Sequence, residues 1–240
     1  MTKPATNPVT TKVGIIGAMP EEISVLLRAL TNRQDEHEAG FGLHAGNLEH
    51  TRVIIAQSGI GKVNAAILCQ LLIQRGVTHI IMTGVAGALE PSLHVGDIVI
   101  SRDALQHDVD VTGLGYEPGL IPGDEKRWQA DSHLAELALM AAQDFAEVNA
   151  VMGTVATGDV FVADLASKTR LFDTFGAACA EMEGASVAQV CHKFDVPFVI
   201  IRSISDTADD AAEVDFRAFM VQAAERANTV VNAMLRGLQG

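Results

Sequence analysis

The sequence predicts a single three-layer α/β domain around a mixed, largely parallel central sheet. Short apolar runs rich in β-branched residues alternate with longer segments whose apolar residues recur at helical spacing. Hydrophobic residues make up 48% of the 240 positions, which suits a sheet buried on both faces. We expect residues 12–240 to form this one domain, and the polar residues 1–11, with their two prolines, to form a flexible tail.

Strands are expected where the apolar runs are short and bounded by glycine, proline or polar residues. In chain order the expected strands are 13–16, 41–48, 52–57, 79–83, 97–105, 151–156, 178–182 and 198–204. The second and third are close enough to pair as a hairpin, with the polar His50-Thr51 at the turn.

Helices are expected where apolar residues recur every three or four positions. The first helix places Ile23, Leu26, Leu27 and Leu30 on one face, and Gly76 ends the second. In chain order the expected helices are 21–30, 63–73, 130–145, 165–172, 184–194 and 216–238.

Composition disfavours several classes of partner. The formal net charge is −13 and Lys and Arg form no run, which argues against nucleic acid and anionic membranes. No apolar run reaches the ~18–20 residues of a membrane span, and the amino terminus lacks the apolar stretch of a signal peptide. Cys69, Cys179 and Cys191 form no CxxC pair and are odd in number, which predicts a reduced, cytoplasmic protein.

Two glycine-rich segments resemble nucleotide-binding loops without matching them. Residues 14–19 lack the GxGxxG spacing of a dinucleotide site. Residues 58–63 contain half of a phosphate-binding loop, but Ala56 stands where the first glycine belongs and Val63 replaces the hydroxyl that binds Mg²⁺. We therefore expect no nucleotide cofactor. Residues 58–63 should form a tight turn that lets a helix start close to the sheet, and residues 83–88 a further small-residue turn that a ligand can approach closely.

The most informative residues are two charged clusters that follow apolar runs. Glu181 and Glu183 follow one such run, and Arg202 and Asp206 follow another. Burying a carboxylate costs several kcal/mol unless it is paired or hydrogen-bonded, so these positions indicate a site. The alternative is a structural salt bridge of Glu183 or Asp206 with Arg202.

The predicted topology brings candidate site residues together. In α/β folds, ligands bind outside the carboxyl ends of the strands. Glu22, Val85, Glu183 and Asp206 each come just after a predicted strand. We expect them to converge on one pocket.

Eight segments carry a resemblance to one known family. They are 14–22 (GIIGAMPEE), 58–63 (SGIGKV), 83–87 (TGVAG), 95–99 (VGDIV), 107–111 (HDVDV), 157–159 (TGD), 181–183 (EME) and 202–206 (RSISD). Together they resemble the 5′-methylthioadenosine/S-adenosylhomocysteine nucleosidases of the nucleoside phosphorylase superfamily, from about Lys12 to the carboxyl terminus. The resemblance implies hydrolysis of the N-glycosidic bond of these nucleosides, releasing adenine and the 5′-thioribose product in methionine salvage, without a cofactor.

The resemblance gives the catalytic roles to carboxyl groups. Asp206 would protonate adenine at N7, because the adenine anion is a poor leaving group, and Ser205 would hold that carboxyl in place. Glu22 would be the base for the attacking water, as in glycoside hydrolysis. Glu183 would accept hydrogen bonds from the ribose hydroxyls, and Arg202 would help to hold the water and balance the negative charge.

Other residues would contact the substrate by resemblance. Phe161 and Phe216 would sandwich the base, the backbone at Val162 would read its edge, and Met182 would pack beside the sugar. The further substrate-binding positions are Met19, Ile60 and Val85.

A second subunit would supply an apolar wall for the 5′-substituent, which predicts a homodimer. The wall residues would be Val111, Leu114 and Pro122. Leu114 replaces an aromatic residue of some relatives and Val85 a hydroxyl residue of many. Pro20 replaces an acidic residue, but it suits the first turn of a helix and leaves Glu22 in register.

Several alternatives stay in view. A phosphate-dependent phosphorylase is disfavoured because the loop 17–22 contains two glutamates and no Arg. A non-catalytic nucleoside-binding protein is disfavoured by the intact charged residues. An aminodeoxyfutalosine nucleosidase of menaquinone synthesis stays open. No metal site is expected, because strand alternation would send the side chains of 107–110 to opposite faces.

Overall fold

The computed structural model describes residues 11–145, 149–209 and 212–238. Its strands are β1 (Lys12–Gly17), β2 (Thr31–Glu38), β3 (Phe41–Leu48), β4 (Thr51–Gln57), β5 (His79–Ala88), β6 (Ile98–Gln106), β7 (Trp128–Gln129), β8 (Ala150–Thr157), β9 (Ala177–Glu181) and β10 (Phe198–Asp206). Its α-helices are α1 (Glu21–Ala29), α2 (Lys62–Gln74), α3 (Ser132–Gln143), α4 (Leu165–Phe175), α5 (Gly184–Lys193) and α6 (Ala212–Gly237).

All of the described strands belong to one mixed sheet. Its centre is parallel, with β4, β1, β5 and β10 side by side. β10 then pairs antiparallel with β6, and β6, β8 and β9 continue in parallel. A short antiparallel pairing of β9 with β5 closes this half of the sheet on itself. The hairpin strands β3 and β2 extend the opposite edge.

Helices cover both faces of the sheet, as the sequence predicts. Alternation along β1 sends Val13 and Ile15 to one face and Ile16 to the other. α1, α3 and α6 pack against the first face, and α2 and α5 pack against the second. Burial of each large aliphatic side chain stabilises the fold by roughly 1.5–3 kcal/mol. The predicted three-layer α/β architecture is therefore confirmed.

The apolar pattern does not predict β2 or β7. β2 reads TNRQDEHE and is exposed along almost its whole length, so it carries no alternation of apolar and polar residues. Backbone pairing with β3 holds it at the edge of the sheet. β7 contains only two residues and pairs with β6. Edge strands with charged side chains resist pairing with other chains, which accounts for the polar sequence of β2.

β5 continues to Ala88, so the small-residue turn predicted at 83–88 is wrong. Gly87 pairs with Asp206 of β10, which keeps this segment extended. The small residues serve close packing, because a Cβ atom at Gly84 would collide with the side chains of Arg202 and Glu22. Val85 therefore lies inside a strand, and Asp206 is the last residue of β10 instead of following it.

Other boundaries differ by a few residues. The hairpin turn lies at Glu49-His50, since Thr51 already belongs to β4. α6 begins at Ala212, four residues before the expected start. The expected tail lies outside the described residues except for residue 11. Among the helices that the structure describes, none is both long and apolar enough to span a bilayer.

Candidate active site

A cavity of about 300 Å³ lies at the carboxyl ends of β1, β5, β9 and β10. It is lined by Ala18, Met19, Glu22, Ile60, Val85, Ala86, Gly87, Phe161, Ala180, Glu181, Met182, Glu183, Ser205, Asp206 and Phe216. All of the expected catalytic and substrate-binding residues line it except Val162 and Arg202. A larger groove of about 880 Å³ beside the β2–β3 hairpin has no Asp or Glu among its lining residues, and so offers no carboxyl chemistry.

Glu22 lies in the first turn of α1 and is 2% exposed. Its Oε2 accepts hydrogen bonds from the backbone N–H groups of Ala18 at 2.6 Å and Met19 at 3.0 Å. Its Oε1 accepts from the N–H of Val85 at 2.9 Å, a contact that does not depend on the Val85 side chain. Burial raises the pKa of Glu22, against the opposing effect of Arg202 and these N–H donors. The carboxyl is thus fixed in place and made more basic than an exposed one.

Arg202 lies behind the cavity and faces three glutamates. Its side chain is fully buried, and its Nη2 pairs with Glu181 and lies 3.6 Å from Oε2 of Glu183. Its Nη1 lies 3.9 Å from Oε1 of Glu22. Asp206 is not among the ion-pair partners of Arg202 that the described residues provide. The expected salt bridge with Glu183 is therefore present, and the one with Asp206 is absent.

Glu183 precedes the first residue of α5 and is 4% exposed. Burial and the nearby charge of Glu181 raise its pKa to about 8, although Arg202 and the N–H of Gly61 oppose the shift. That N–H donates to Oε1 of Glu183 at 2.8 Å. One guanidinium faces three buried carboxyl groups, which is why it does not offset the upward shift of the Glu183 pKa.

Asp206 ends β10 and is 2% exposed. The hydroxyl of Ser205 donates to its Oδ2 at 2.8 Å, and the N–H of Ala208 donates to its Oδ1 at 2.9 Å. Burial raises the pKa of Asp206 against these two donors. A Cβ atom at Gly87 would lie 2.7 Å from Oδ1, which explains the need for glycine there. Ser205 thus contacts the carboxyl that the resemblance expects it to hold.

Aromatic and apolar side chains form the other wall. Phe161 and Phe216 meet edge to face, with ring centroids 5.7 Å apart and planes at 75°. This places both rings at the cavity but not as the parallel plates of a sandwich. Met182 lines the cavity as expected. Val162 is buried in a neighbouring apolar cluster, so its side chain does not reach the cavity.

The loop between β6 and β7 holds the residues expected to act in a neighbouring subunit. Val111, Leu114 and Pro122 do not line this chain's own cavity. Leu114 ends a short 3₁₀ turn and is 77% exposed. The segment 107–110 follows the end of β6, so the strand alternation assumed for it is wrong. Among the described residues, no cluster of three or more His, Cys, Asp or Glu side chains could hold a metal ion.

Glu181 is the site residue whose importance the spacing does not reveal. It is 7% exposed and accepts hydrogen bonds from the hydroxyl of Thr157, the N–H groups of Glu183 and Gly184, and the guanidinium of Arg202. Its position in the first charged cluster indicates a role at the site, but the residue types alone do not say which glutamate faces Arg202. Glu181 is the last residue of β9 and makes the closer contact with the Arg202 guanidinium, whereas Glu183 follows the strand and lies farther away.

Comparisons with known proteins show which family the chain is similar to. The family model for the phosphorylase superfamily matches residues 12–236. A 5′-methylthioadenosine/S-adenosylhomocysteine nucleosidase from Shewanella loihica is 44% identical over 230 residues, which cover 95% of this chain and 100% of the relative. The solved structure of the Neisseria meningitidis nucleosidase of the same name, in complex with methylthio-immucillin-A, aligns with a TM-score of 0.92 at 37% identity, covering 95% of this chain and 99% of that one.

A further solved structure, a futalosine hydrolase from Helicobacter pylori, aligns with a TM-score of 0.90 at 34% identity, covering 95% of this chain and 98% of that one. Sequence and fold therefore agree over almost the whole length of these proteins. The chain belongs to the phosphorylase superfamily and, within it, to the family of 5′-methylthioadenosine/S-adenosylhomocysteine nucleosidases.

Proposed function

We propose that this protein hydrolyses the N-glycosidic bond of 5′-methylthioadenosine and S-adenosylhomocysteine. The products are adenine and the 5′-thioribose fragment, and the reaction belongs to methionine salvage. One observation carries the proposal: Glu22, Glu183 and Asp206 line the same cavity, are buried, and all have raised pKa values. Groups of this kind perform acid and base chemistry near neutral pH.

Asp206 is proposed to protonate adenine at N7 as the base departs. Its raised pKa keeps a proton available closer to neutral pH than an exposed aspartate would. Ser205 and the N–H of Ala208 fix the orientation of the carboxyl. Neutral adenine is a better leaving group than its anion, so this proton lowers the barrier to bond cleavage.

Glu22 is proposed to activate the attacking water. Nη1 of Arg202 is buried, has no hydrogen-bond partner among the described residues, and lies 3.9 Å from Oε1 of Glu22. A water bound beside these two groups would satisfy the donor and deliver its proton to the base. Arg202 thus acts from behind the cavity, without lining it.

Glu183 is proposed to bind the ribose hydroxyls. A carboxyl with a pKa of about 8 can both donate and accept hydrogen bonds at neutral pH. The ionised form of this carboxyl attracts positive charge that develops on the ribosyl group in the transition state. The carboxylate then stabilises the cation more than it stabilises the neutral substrate, which is what catalysis requires.

Water is a better acceptor than phosphate for this cavity. Its lining contains four Asp or Glu side chains and no Lys or Arg among the described residues. A phosphate dianion would meet these carboxylates unfavourably and find few donors. A hydrolase therefore fits the site better than a phosphate-dependent phosphorylase.

Hydrolysis of aminodeoxyfutalosine is the second candidate function. The likeness to the futalosine hydrolase favours it as an additional or alternative activity. It requires the same chemistry at the N-glycosidic bond, so only the space for the 5′-substituent distinguishes the two. The departures at Val85 and Leu114 bear on that space.

We also propose a homodimer in which the loop between β6 and β7 completes the partner's 5′ pocket. The exposed apolar side chain of Leu114, with Val111 and Pro122 on the same loop, supports this arrangement. Leu114→Glu should weaken the dimer and raise KM for thioether substrates in sedimentation and kinetic assays. A fully active monomer would contradict the proposal.

A cytoplasmic location is supported by the free, buried thiols of Cys69, Cys179 and Cys191.

Release of the base from a panel of nucleosides, with and without phosphate, tests the proposed function. The panel contains 5′-methylthioadenosine, S-adenosylhomocysteine, 5′-deoxyadenosine and aminodeoxyfutalosine. Release of adenine from the first two without phosphate is expected. Release that requires phosphate and yields ribose 1-phosphate would overturn the hydrolase, and release from aminodeoxyfutalosine alone would favour the second candidate.

A further inference from the structure

Three of the segments that carry the family resemblance contain charged residues with no role in the chemistry described so far. They are 58–63, 107–111 and 157–159. They come from the start of α2, the end of β6 and the end of β8, and they are far apart in sequence. The structure nevertheless brings Lys62, Asp108 and Asp159 into mutual contact beside the cavity.

The three residues form a closed ring of hydrogen bonds. Nζ of Lys62 donates to Oδ1 of Asp108 at 2.7 Å, and the N–H of Asp159 donates to Oδ2 of Asp108 at 3.0 Å. The N–H of Lys62 donates in turn to Oδ1 of Asp159 at 2.9 Å. Asp108 uses both of its oxygens and is the only member bonded through its side chain to both of the others in this ring.

The ring lies at the surface, but the side chains of its central ion pair are partly shielded from solvent. The side chains of Lys62 and Asp108 are 18% and 22% exposed. Burial raises the pKa of Asp108, but the bonds from Lys62 and the N–H of Asp159 outweigh it, and the pKa is lowered overall. Asp108 is therefore ionised at neutral pH and pairs with Lys62 at a site that solvent partly screens.

Residues next to the ring in sequence contact Glu183 or line the cavity. Gly61, next to Lys62, donates its N–H to Glu183, and its φ of +100° is one that glycine tolerates. Ile60 and Phe161, each two residues from a ring member, line the cavity. Movement of the ring would displace the donor to Glu183 and two walls of the cavity together.

We propose that Lys62, Asp108 and Asp159 form a clamp that positions the Gly61 amide, and through it Glu183, for the ribose. Asp108 is the positioning residue at its centre and touches no substrate itself. This role rests on the proposed nucleosidase function. The clamp also fixes the start of the loop that carries Leu114, so it links the ribose site to the wall proposed for the 5′-substituent.

Asp108→Asn tests the clamp with little change in shape. The amide oxygen can still accept from the N–H of Asp159, but the loss of charge removes the ion pair with Lys62. Nζ of Lys62 then keeps its hydrogen bond to Oε1 of Gln106 at 3.1 Å. We expect kcat/KM for 5′-methylthioadenosine to fall about 10- to 30-fold, mostly through KM, because ground-state binding of the ribose suffers. Asp173→Asn, on the exposed surface of α4, removes the same charge and should stay within about twofold of the wild type.

A double variant and a pH profile separate positioning from general destabilisation. Lys62→Met and Asp108→Asn together should cost no more than the larger single change, because both remove one interaction. Loss of the Gly61 donor should raise the pKa of Glu183 further. The corresponding limb of the kcat/KM profile, identified by its absence in Glu183→Gln, should then move to higher pH. Additive losses with an unmoved limb would overturn the clamp.

Hydrogen exchange at Gly61 tests the clamp without any turnover. Its amide should exchange faster in Asp108→Asn than in the wild type or Asp173→Asn. Unchanged exchange would overturn the clamp even if the enzyme is a nucleosidase. Faster exchange in a protein that releases no base from any nucleoside would instead keep the clamp and reject the proposed function.

Discussion

Two groups of charges in this molecule each place an arginine against carboxyl side chains, yet they behave in opposite ways. In the exposed β2–β3 hairpin, Nε of Arg33 donates to Oδ1 of Asp35 at 2.7 Å, and both side chains are at least 40% exposed. Hydrogen bonds from Arg33 and His44 lower the pKa of Asp35 to about 2. In the buried group, Arg202 also contacts carboxylates, yet burial raises the pKa of Glu183 to about 8.

The two groups differ in the hydration of their carboxyl groups and in the number of carboxyl groups that share each guanidinium. Asp35 keeps its hydration and has a guanidinium for a partner, so the ionised form is favoured. Glu183 has lost its hydration and shares one guanidinium with Glu181 and Glu22. An ion pair alone therefore does not identify a functional carboxyl. An excess of buried carboxyl groups over buried cations is the better indicator of a functional carboxyl.

The largest effect is expected from Glu22→Gln. The amide keeps the shape of the side chain but cannot accept the proton of the attacking water. Turnover should fall by about 10²- to 10⁴-fold, whereas binding of a substrate analogue should change little. Steady-state kinetics and calorimetry measure the two quantities. Glu21→Gln, the adjacent residue in α1, is the matched control, and an equal loss there would remove the special role of Glu22.

Removal of the central cation should have the next largest effect. Arg202→Gln leaves Glu22, Glu181 and Glu183 buried without a countercharge, which should lower the free energy of unfolding by about 3–5 kcal/mol. Urea unfolding measures this difference. A loss below about 1 kcal/mol would show that the buried group does not depend on its guanidinium.

The pH dependence of stability should reveal the raised pKa of Glu183. A carboxyl that binds its proton more tightly in the folded state stabilises the fold at low pH, and this contribution is lost as pH rises toward about 8. Stability should therefore decrease between about pH 5 and pH 8, and Glu183→Gln should flatten this decrease. Thermal unfolding at several pH values tests it. Equal slopes in both proteins would contradict the assignment.

The smallest effect is expected in the hairpin. The pKa of Asp35 is lowered, so the stability that its ion pair contributes is lost only as pH falls through the ordinary range of an aspartate toward about 2. Solvent also screens this contribution. Asp35→Asn should leave turnover and the melting temperature at pH 7 unchanged within error. A clear loss of either would remove the contrast between the two charge groups.

The sequence predicts those parts of the fold and site that depend on local pattern. The convergence of Glu22 and Asp206 on one cavity is predicted because both adjoin apolar strands, and the three layers follow from alternation. β2 could not be found, because pairing at an exposed edge leaves no apolar signature. The pairing of Arg202 mainly with Glu181 could not be found either, because it depends on where β9 ends.

The most direct test of the account is the response of Asp206→Asn to the leaving group. This variant cannot donate a carboxyl proton to N7, so its turnover of 5′-methylthioadenosine should fall by about 10²- to 10⁴-fold. A p-nitrophenyl riboside, whose leaving group needs no proton, should restore turnover in Asp206→Asn relative to the wild type on the same substrate. It should not rescue Glu183→Gln, which loses stabilisation of the ribosyl cation. Rescue of both variants, or of neither, would contradict the division of roles between these two carboxyl groups.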